Sequence, residues 1–166
     1  MPVVYRLVSP ALDDSEFRTG SGRANRWNTE GTKVIYCGAT VSLCLLEMLA
    51  HLPLERRQDV PLTFRLLRVL FPDHLIDNFE VKNLPADWDA EGCPPQAQST
   101  GDAWAKNPRA KAVLCVPSAV VEQESVYVLN PTHPRFEKID ILSVDVYDFV
   151  IRLRPEKAKL PVASVV

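Results

Sequence analysis

Short runs of Val, Ile, Leu and aromatic residues, separated by polar or proline-containing stretches, set the rhythm of the chain. Residues Val3 to Val8, Lys33 to Gly38, Leu62 to Leu70, Ala112 to Val116, Ser125 to Leu129 and Lys138 to Val146 read as extended strands. The 14 prolines fall largely between these runs, as in Leu84-Pro85, Cys93-Pro94-Pro95, Val116-Pro117, Asn130-Pro131 and His133-Pro134. A missing N–H does little harm there, so the prolines mark loops. The pattern is that of a mostly β chain without internal repeats.

One segment departs from it. Thr40 has the side chain of a helix N-cap, and Leu43, Leu46, Met48, Leu49 and Leu52 follow with the spacing of apolar helix faces. A helix is expected from Thr40 to His51, ended by Pro53. A second, shorter helix is expected over Thr100 to Lys106, carrying Trp104, after a polar turn around Gln98 and Ser99. From Pro155 to Val166 no strong period remains, so a domain over 1–154 followed by a C-terminal tail over 155–166 is expected.

Composition narrows the class. With 166 residues, 46% hydrophobic and 24% charged, the chain suits one globular domain. A domain of this size buries about 70% of the surface its unfolded chain exposes, enough to hold a cleft without staples. A net charge of -2 and a pI near 5.9 argue against direct nucleic-acid binding, which calls for a basic excess. An anionic ligand must then be met by a few placed arginines. Cys37, Cys44, Cys93 and Cys115 form no C-x-x-C pair, and His51, His74 and His133 lack ligand spacing, so no metal site is expected. No apolar stretch approaches the roughly 20 residues of a membrane span and no signal peptide is evident, so the expectation is a cytoplasmic protein with reduced thiols.

The most unusual stretch is Gly20-Ser-Gly-Arg-Ala-Asn-Arg-Trp-Asn-Thr-Glu-Gly31. Guanidinium groups give bidentate hydrogen bonds to phosphate oxygens, and Gly20 and Gly22 let backbone approach a ligand closely. The competing reading is a surface loop whose Trp27 plugs the core. Further on, Thr40, Cys44, Glu47 and His51 form one helix stripe, either an ordinary solvated face or one facing a cleft, where Glu47 would stabilise a developing positive charge. Ser118 and Asn130 stand at strand ends, where such residues commonly form turns. No Gly-x-Ser-x-Gly elbow surrounds Ser118, which weakens a serine-hydrolase reading.

In order along the chain, these pieces resemble the RES domain, a family of toxins found beside Xre-type helix-turn-helix antitoxins. The resemblance is carried by Tyr5-Arg6, Arg26-Trp27-Asn28, Gly31, Tyr36, Leu46-Glu47 with His51, Leu84-Pro85, Trp88, Gly101 with Trp104, Val116-Pro117-Ser118, and Asn130-Pro131 with His133. Members often have glycine where Asn25 stands. The resemblance implies a compact α/β (α+β) single domain, similar to the ADP-ribosyltransferase toxins, that breaks the nicotinamide–ribose bond of NAD by hydrolysis or phosphorolysis. NAD is then substrate, inorganic phosphate an optional co-substrate, and no cofactor is implied.

By the same resemblance, Arg26, Tyr36, Glu47 and Ser118 form the catalytic set, and Arg6, Arg26, Trp27, Tyr36 and Asn130 bind NAD. Arg6 and Arg26 would hold phosphates, Tyr36 would pack on a ring, Glu47 would support the ribosyl cation, and Ser118 and Asn130 would orient the ribose or Glu47. Gln96, Gln98 and Ser99 are not assigned to the site. A helix-turn-helix antitoxin is the implied partner, and a homodimer is left open. Transfer of ADP-ribose to a protein and a non-catalytic binding domain are the alternatives.

The implied chemistry suits these residues. Nicotinamide departs from an oxocarbenium-like ribose as a neutral molecule, so no general acid has to protonate it. One carboxylate can then serve where glycosidases use two.

Overall fold

A computed structural model describes residues 1–11, 17–52, 60–61 and 63–149. Pro53 as a helix stop, Leu62 as a strand start and the segment from Pro155 lie outside the described residues.

Seven strands form one sheet: β1 (Val3–Val8), β2 (Ile35–Gly38), β3 (Thr63–Leu70), β4 (Ile76–Asn78), β5 (Val113–Pro117), β6 (Ser125–Leu129) and β7 (Asp140–Asp148). Their order across the sheet is β4-β5-β6-β2-β1-β3-β7. Every pairing is antiparallel except β4 with β5. Among the described residues two α-helices accompany the sheet, α1 (Val41–Ala50) and α2 (Pro95–Lys106), giving the mixed α/β single domain expected.

The period-2 alternation sorts side chains to two faces. Ile35 and Cys37 of β2, Leu67 and Val69 of β3, and Val113 and Leu129 join one core cluster. Their neighbours Val34, Tyr36, Leu114, Val116, Val126 and Val128 turn to the opposite face, against Trp27, Trp88 and Trp104. A third cluster gathers Phe64 and Phe149 with Leu7 and with Leu45, Met48 and Leu49 of α1. Helix α1 therefore straddles two clusters, since its Leu43 packs in the second.

That straddling matters because the sheet comes apart beneath it. β1 and β3 are in register from Val3 opposite Leu70 to Val8 opposite Arg65, whereas β1 and β2 meet only at Tyr5 opposite Gly38. Gly38 makes room at that point: a Cβ there would stand 2.8 Å from the Cys44 sulfur of α1.

Local chemistry explains where the elements begin. Thr40 caps α1 as expected, its hydroxyl accepting from the Leu43 N–H at 3.0 Å. Helix α2 starts earlier than the expected Thr100, because Pro95 occupies its first turn, where a missing N–H is harmless and the fixed φ favours the helix. The three residues of β4 are too few for an alternating signal, and β7 begins at Asp140, after a 3-10 turn over Phe136–Lys138.

Candidate active site

A cavity of about 410 Å³ opens where β1 and β2 part. Arg6, Arg26, Trp27, Tyr36, Glu47 and Ser118 all reach its wall, from β1, the loop before β2, β2 itself, α1 and the end of β5. Six of the seven residues expected at the site thus come together although up to 112 positions separate them in sequence.

Glu47 is held from one side and open on the other. Its Oε1 accepts from the Ser118 hydroxyl at 2.7 Å, and its Oε2 lies 3.8 Å from His51 Nδ1. The Ser118 oxygen also accepts from the N–H groups of Val120 and Val121, each at 3.0 Å. A hydroxyl has one proton and two lone pairs, so Ser118 is fully occupied and acts by positioning Glu47. The turn that carries Ser118 is tied to the helix a second time, by the Thr40 hydroxyl donating to Glu124 at 2.7 Å.

The cations are held differently. Arg6 donates from Nη1 to the Tyr36 carbonyl at 3.1 Å, a group that the divergence of β1 from β2 leaves outside the ladder. Its Nε is buried without a partner, and burial lowers the guanidinium pKa, partly opposed by the Cys37 and Cys44 sulfurs. Arg26 donates from Nη1 to the carbonyls of Trp88 and Ala90, both at 2.7 Å. Among the described residues neither arginine has a carboxylate within ion-pair distance. Their positive charges are therefore available to an anion.

The arginine loop is fixed from beneath. Asn28 is fully buried, and its amide donates to the carbonyls of Arg23, Thr29 and Thr32. The Tyr36 hydroxyl donates to Asn28 Oδ1 at 2.7 Å and accepts from the Trp27 N–H at 3.1 Å, while burial raises its pKa well above the ordinary phenol value. Asn25 needs no glycine conformation, because no residue other than glycine has positive φ among the described residues. Trp27 is 2% exposed and belongs to the core, so the plug reading holds for it even though it reaches the cavity wall.

Helix α2 supplies what sequence reasoning left out. Gln98 Nε2 donates to the carbonyls of Asn25 and Asn28, both at 3.0 Å. One turn on, Asp102 accepts from the Thr29 N–H and hydroxyl. Burial alone would raise the Asp102 pKa, but these bonds and nearby Lys106 outweigh it and hold the carboxyl below its usual range. Between them Gly101 lets the helix touch the loop, since a Cβ there would stand 1.9 Å from the Trp27 carbonyl oxygen. The spacing 98, 101, 102 is a helical stripe, legible once Pro95 is taken as a helix start rather than a loop marker.

Asn130 is the site residue that the fold does not bring in. It follows β6 at the end away from Ser118, and a five-residue strand is about 17 Å long. Its amide donates to the Ala105 carbonyl at 2.9 Å, and its oxygen accepts from the Thr132 N–H and hydroxyl. In this position Asn130 holds the loop after β6 against α2 and does not touch Glu47. His133 is likewise structural, 3.1 Å from the Ala110 carbonyl.

One cavity thus joins an oriented carboxylate with two guanidiniums that, among the described residues, have no acidic partner. The family follows from comparison with known proteins. The RES domain model matches residues 3–152, and the chain belongs to that family. It is 36% identical to the Prs ADP-ribosylating toxin of Sphingobium sp. (strain YBL2) over 78% of this chain and 83% of that one. It is 34% identical to Toxin Res of Photorhabdus laumondii over 95% of this chain and 99% of the relative. In fold it is similar to a chain of the M. tuberculosis MbcT–MbcA toxin–antitoxin complex, with a TM-score of 0.62, 17% identity, and coverage of 89% of this chain and 84% of that chain.

Proposed function

We propose that this RES-domain protein is the toxin of a toxin–antitoxin pair and acts in the cytoplasm by depleting NAD. The bond between nicotinamide and ribose breaks, and water or inorganic phosphate takes the ribosyl group. The observation that carries this reading is Glu47, fixed by Ser118 in a cavity whose arginines have no acidic partner among the described residues. The carboxylate faces the ribose as it becomes positive, Arg6 and Arg26 take the pyrophosphate, and the face of Tyr36 packs on a ring of NAD. NAD is substrate here, and the reaction as written needs no resident cofactor.

The partner in this reading is an Xre-type helix-turn-helix antitoxin. The solved structure most useful for its fold is itself a toxin–antitoxin complex, which supports an antitoxin here as well. A second reading, transfer of ADP-ribose to a protein, is favoured by the similarity to the Prs ADP-ribosylating toxin of Sphingobium. The bond broken is the same, and only the acceptor differs.

The deciding experiment is to incubate the pure protein with NAD, with and without inorganic phosphate, and identify the products. Free ADP-ribose establishes hydrolysis, and a phosphorylated ADP-ribose establishes phosphorolysis. Intact NAD under both conditions, followed by labelling of proteins when a lysate is added, establishes the transfer reading. Intact NAD with no labelled protein removes the enzymatic reading altogether.

A further inference from the structure

His51 shares the cavity with Glu47 but has no part in the chemistry described so far. It caps the C-terminal end of α1, and its side chain is 49% exposed, so it is not a core residue. Its Nδ1 lies 2.7 Å from the Glu47 main-chain oxygen. A carbonyl oxygen only accepts, so in the neutral ring Nδ1 bears the proton and Nε2 is left as a bare lone pair. The backbone of the helix thus selects the tautomer, one turn from the carboxylate.

The other groups on the wall are poorly suited to take up a proton. Burial pushes Cys37 up to about 12 and Cys44 up to about 11, so both stay neutral thiols near pH 7. Tyr36 is shifted the same way, and its hydroxyl is already engaged at both ends. Arg6 and Arg26 are cations. Ser118 has no free lone pair.

We propose that His51 Nε2 accepts the proton of the water that attacks the ribose, which rests on the reading of this site as an NAD-cleaving one. As the C1′–N bond breaks, its electron pair leaves with neutral nicotinamide. The water oxygen bonds to C1′, and the proton it sheds passes to Nε2 and from there to solvent. Glu47 supports the cation, and His51 completes its capture. A nucleophile that arrives as an anion sheds no proton and has no need of His51.

The test uses His51→Gln in the full chain, which keeps an amide able to reach the Glu47 carbonyl. Hydrolysis by the variant should fall about 100-fold in kcat with little change in KM, as loss of a positioned base does. Added azide should restore NAD cleavage with ADP-ribosyl azide as product. A thermal melt checks that the variant is folded, and His51→Asn repeats the measurement if it is not. An active parent with an equally active variant overturns the inference alone, as does a loss that azide fails to rescue. A parent that leaves NAD intact overturns the reading of the site and this inference with it.

Discussion

The carboxylate side and the arginine side of the cavity are built on opposite terms. On the carboxylate side Ser118 donates to Glu47 and accepts from Val120 and Val121, so the hydroxyl that aims the carboxylate has no freedom left. On the arginine side Arg6 keeps a buried, unpartnered Nε, and among the described residues both arginines are held by main-chain carbonyls alone. A carbonyl dipole fixes a guanidinium without cancelling its charge. The difference teaches which half is finished before a ligand arrives and which half a ligand must finish: under the proposed function, the group for the transition state is preorganised and the groups for binding are left electrically open.

That contrast is best broken at Glu47. Replacement by glutamine keeps the bond to Ser118 within reach and removes the charge, so NAD turnover should drop about 100-fold or more while affinity stays within a few-fold. Steady-state kinetics on a protein shown folded by thermal melt measures it, and turnover at the parent rate would sink the assignment of the carboxylate half.

The arginine half predicts the reverse signature. Arg26→Lys loses the planar guanidinium whose Nη1 binds the Trp88 and Ala90 carbonyls and with it any bidentate grip on phosphate, at a cost of ~1.5–3 kcal/mol, or roughly ten- to 150-fold in NAD binding. The loss should fall mainly on KM, and a lysine variant with parental KM would remove Arg26 from ligand binding.

The smallest effect on activity sharpens the boundary of the site. Asn130→Ala strips partners from the Ala105 carbonyl and from Thr132, so it should destabilise the fold by about 1–3 kcal/mol in a denaturant titration. NAD kinetics of the folded fraction should remain within about two-fold of the parent. A change in KM without a change in stability would return Asn130 to the ligand.

Legibility in the sequence followed how local each signal is. β1 and β6 were readable to the residue because alternation and flanking prolines are properties of the segment itself. α1 was readable from its cap, and the convergence of Arg6, Arg26, Tyr36, Glu47 and Ser118 followed from the resemblance rather than from spacing. Pairing was not readable. Nothing in Tyr5-Arg6 or Tyr36-Cys37 announces that β1 and β2 touch at one register pair, since that depends on what the other strands and α1 require. Asn130 was misplaced for a related reason: a polar residue at a strand end looks the same at either end of the strand. Gln98 reads as part of a turn because two prolines look like a loop when one of them begins a helix, and Asp102 lies in the expected helix but gives no signal of its own.

The parting of β1 from β2 makes the sheet a pair of panels, β4-β5-β6-β2 and β1-β3-β7, sewn in the backbone ladder by one register pair, Tyr5 and Gly38, and by the Arg6 side chain on the Tyr36 carbonyl. The first core cluster draws on both panels and serves as the spine, and α1 crosses the opposite face like a clasp, anchored by Leu43 on one side and Leu45, Met48 and Leu49 on the other. Glu47 rides on the clasp and Arg6 on one page. A ligand seated among them and Tyr36 of the other page therefore binds the two leaves of the book to each other, so occupancy should be felt as resistance to opening far from the atoms it touches.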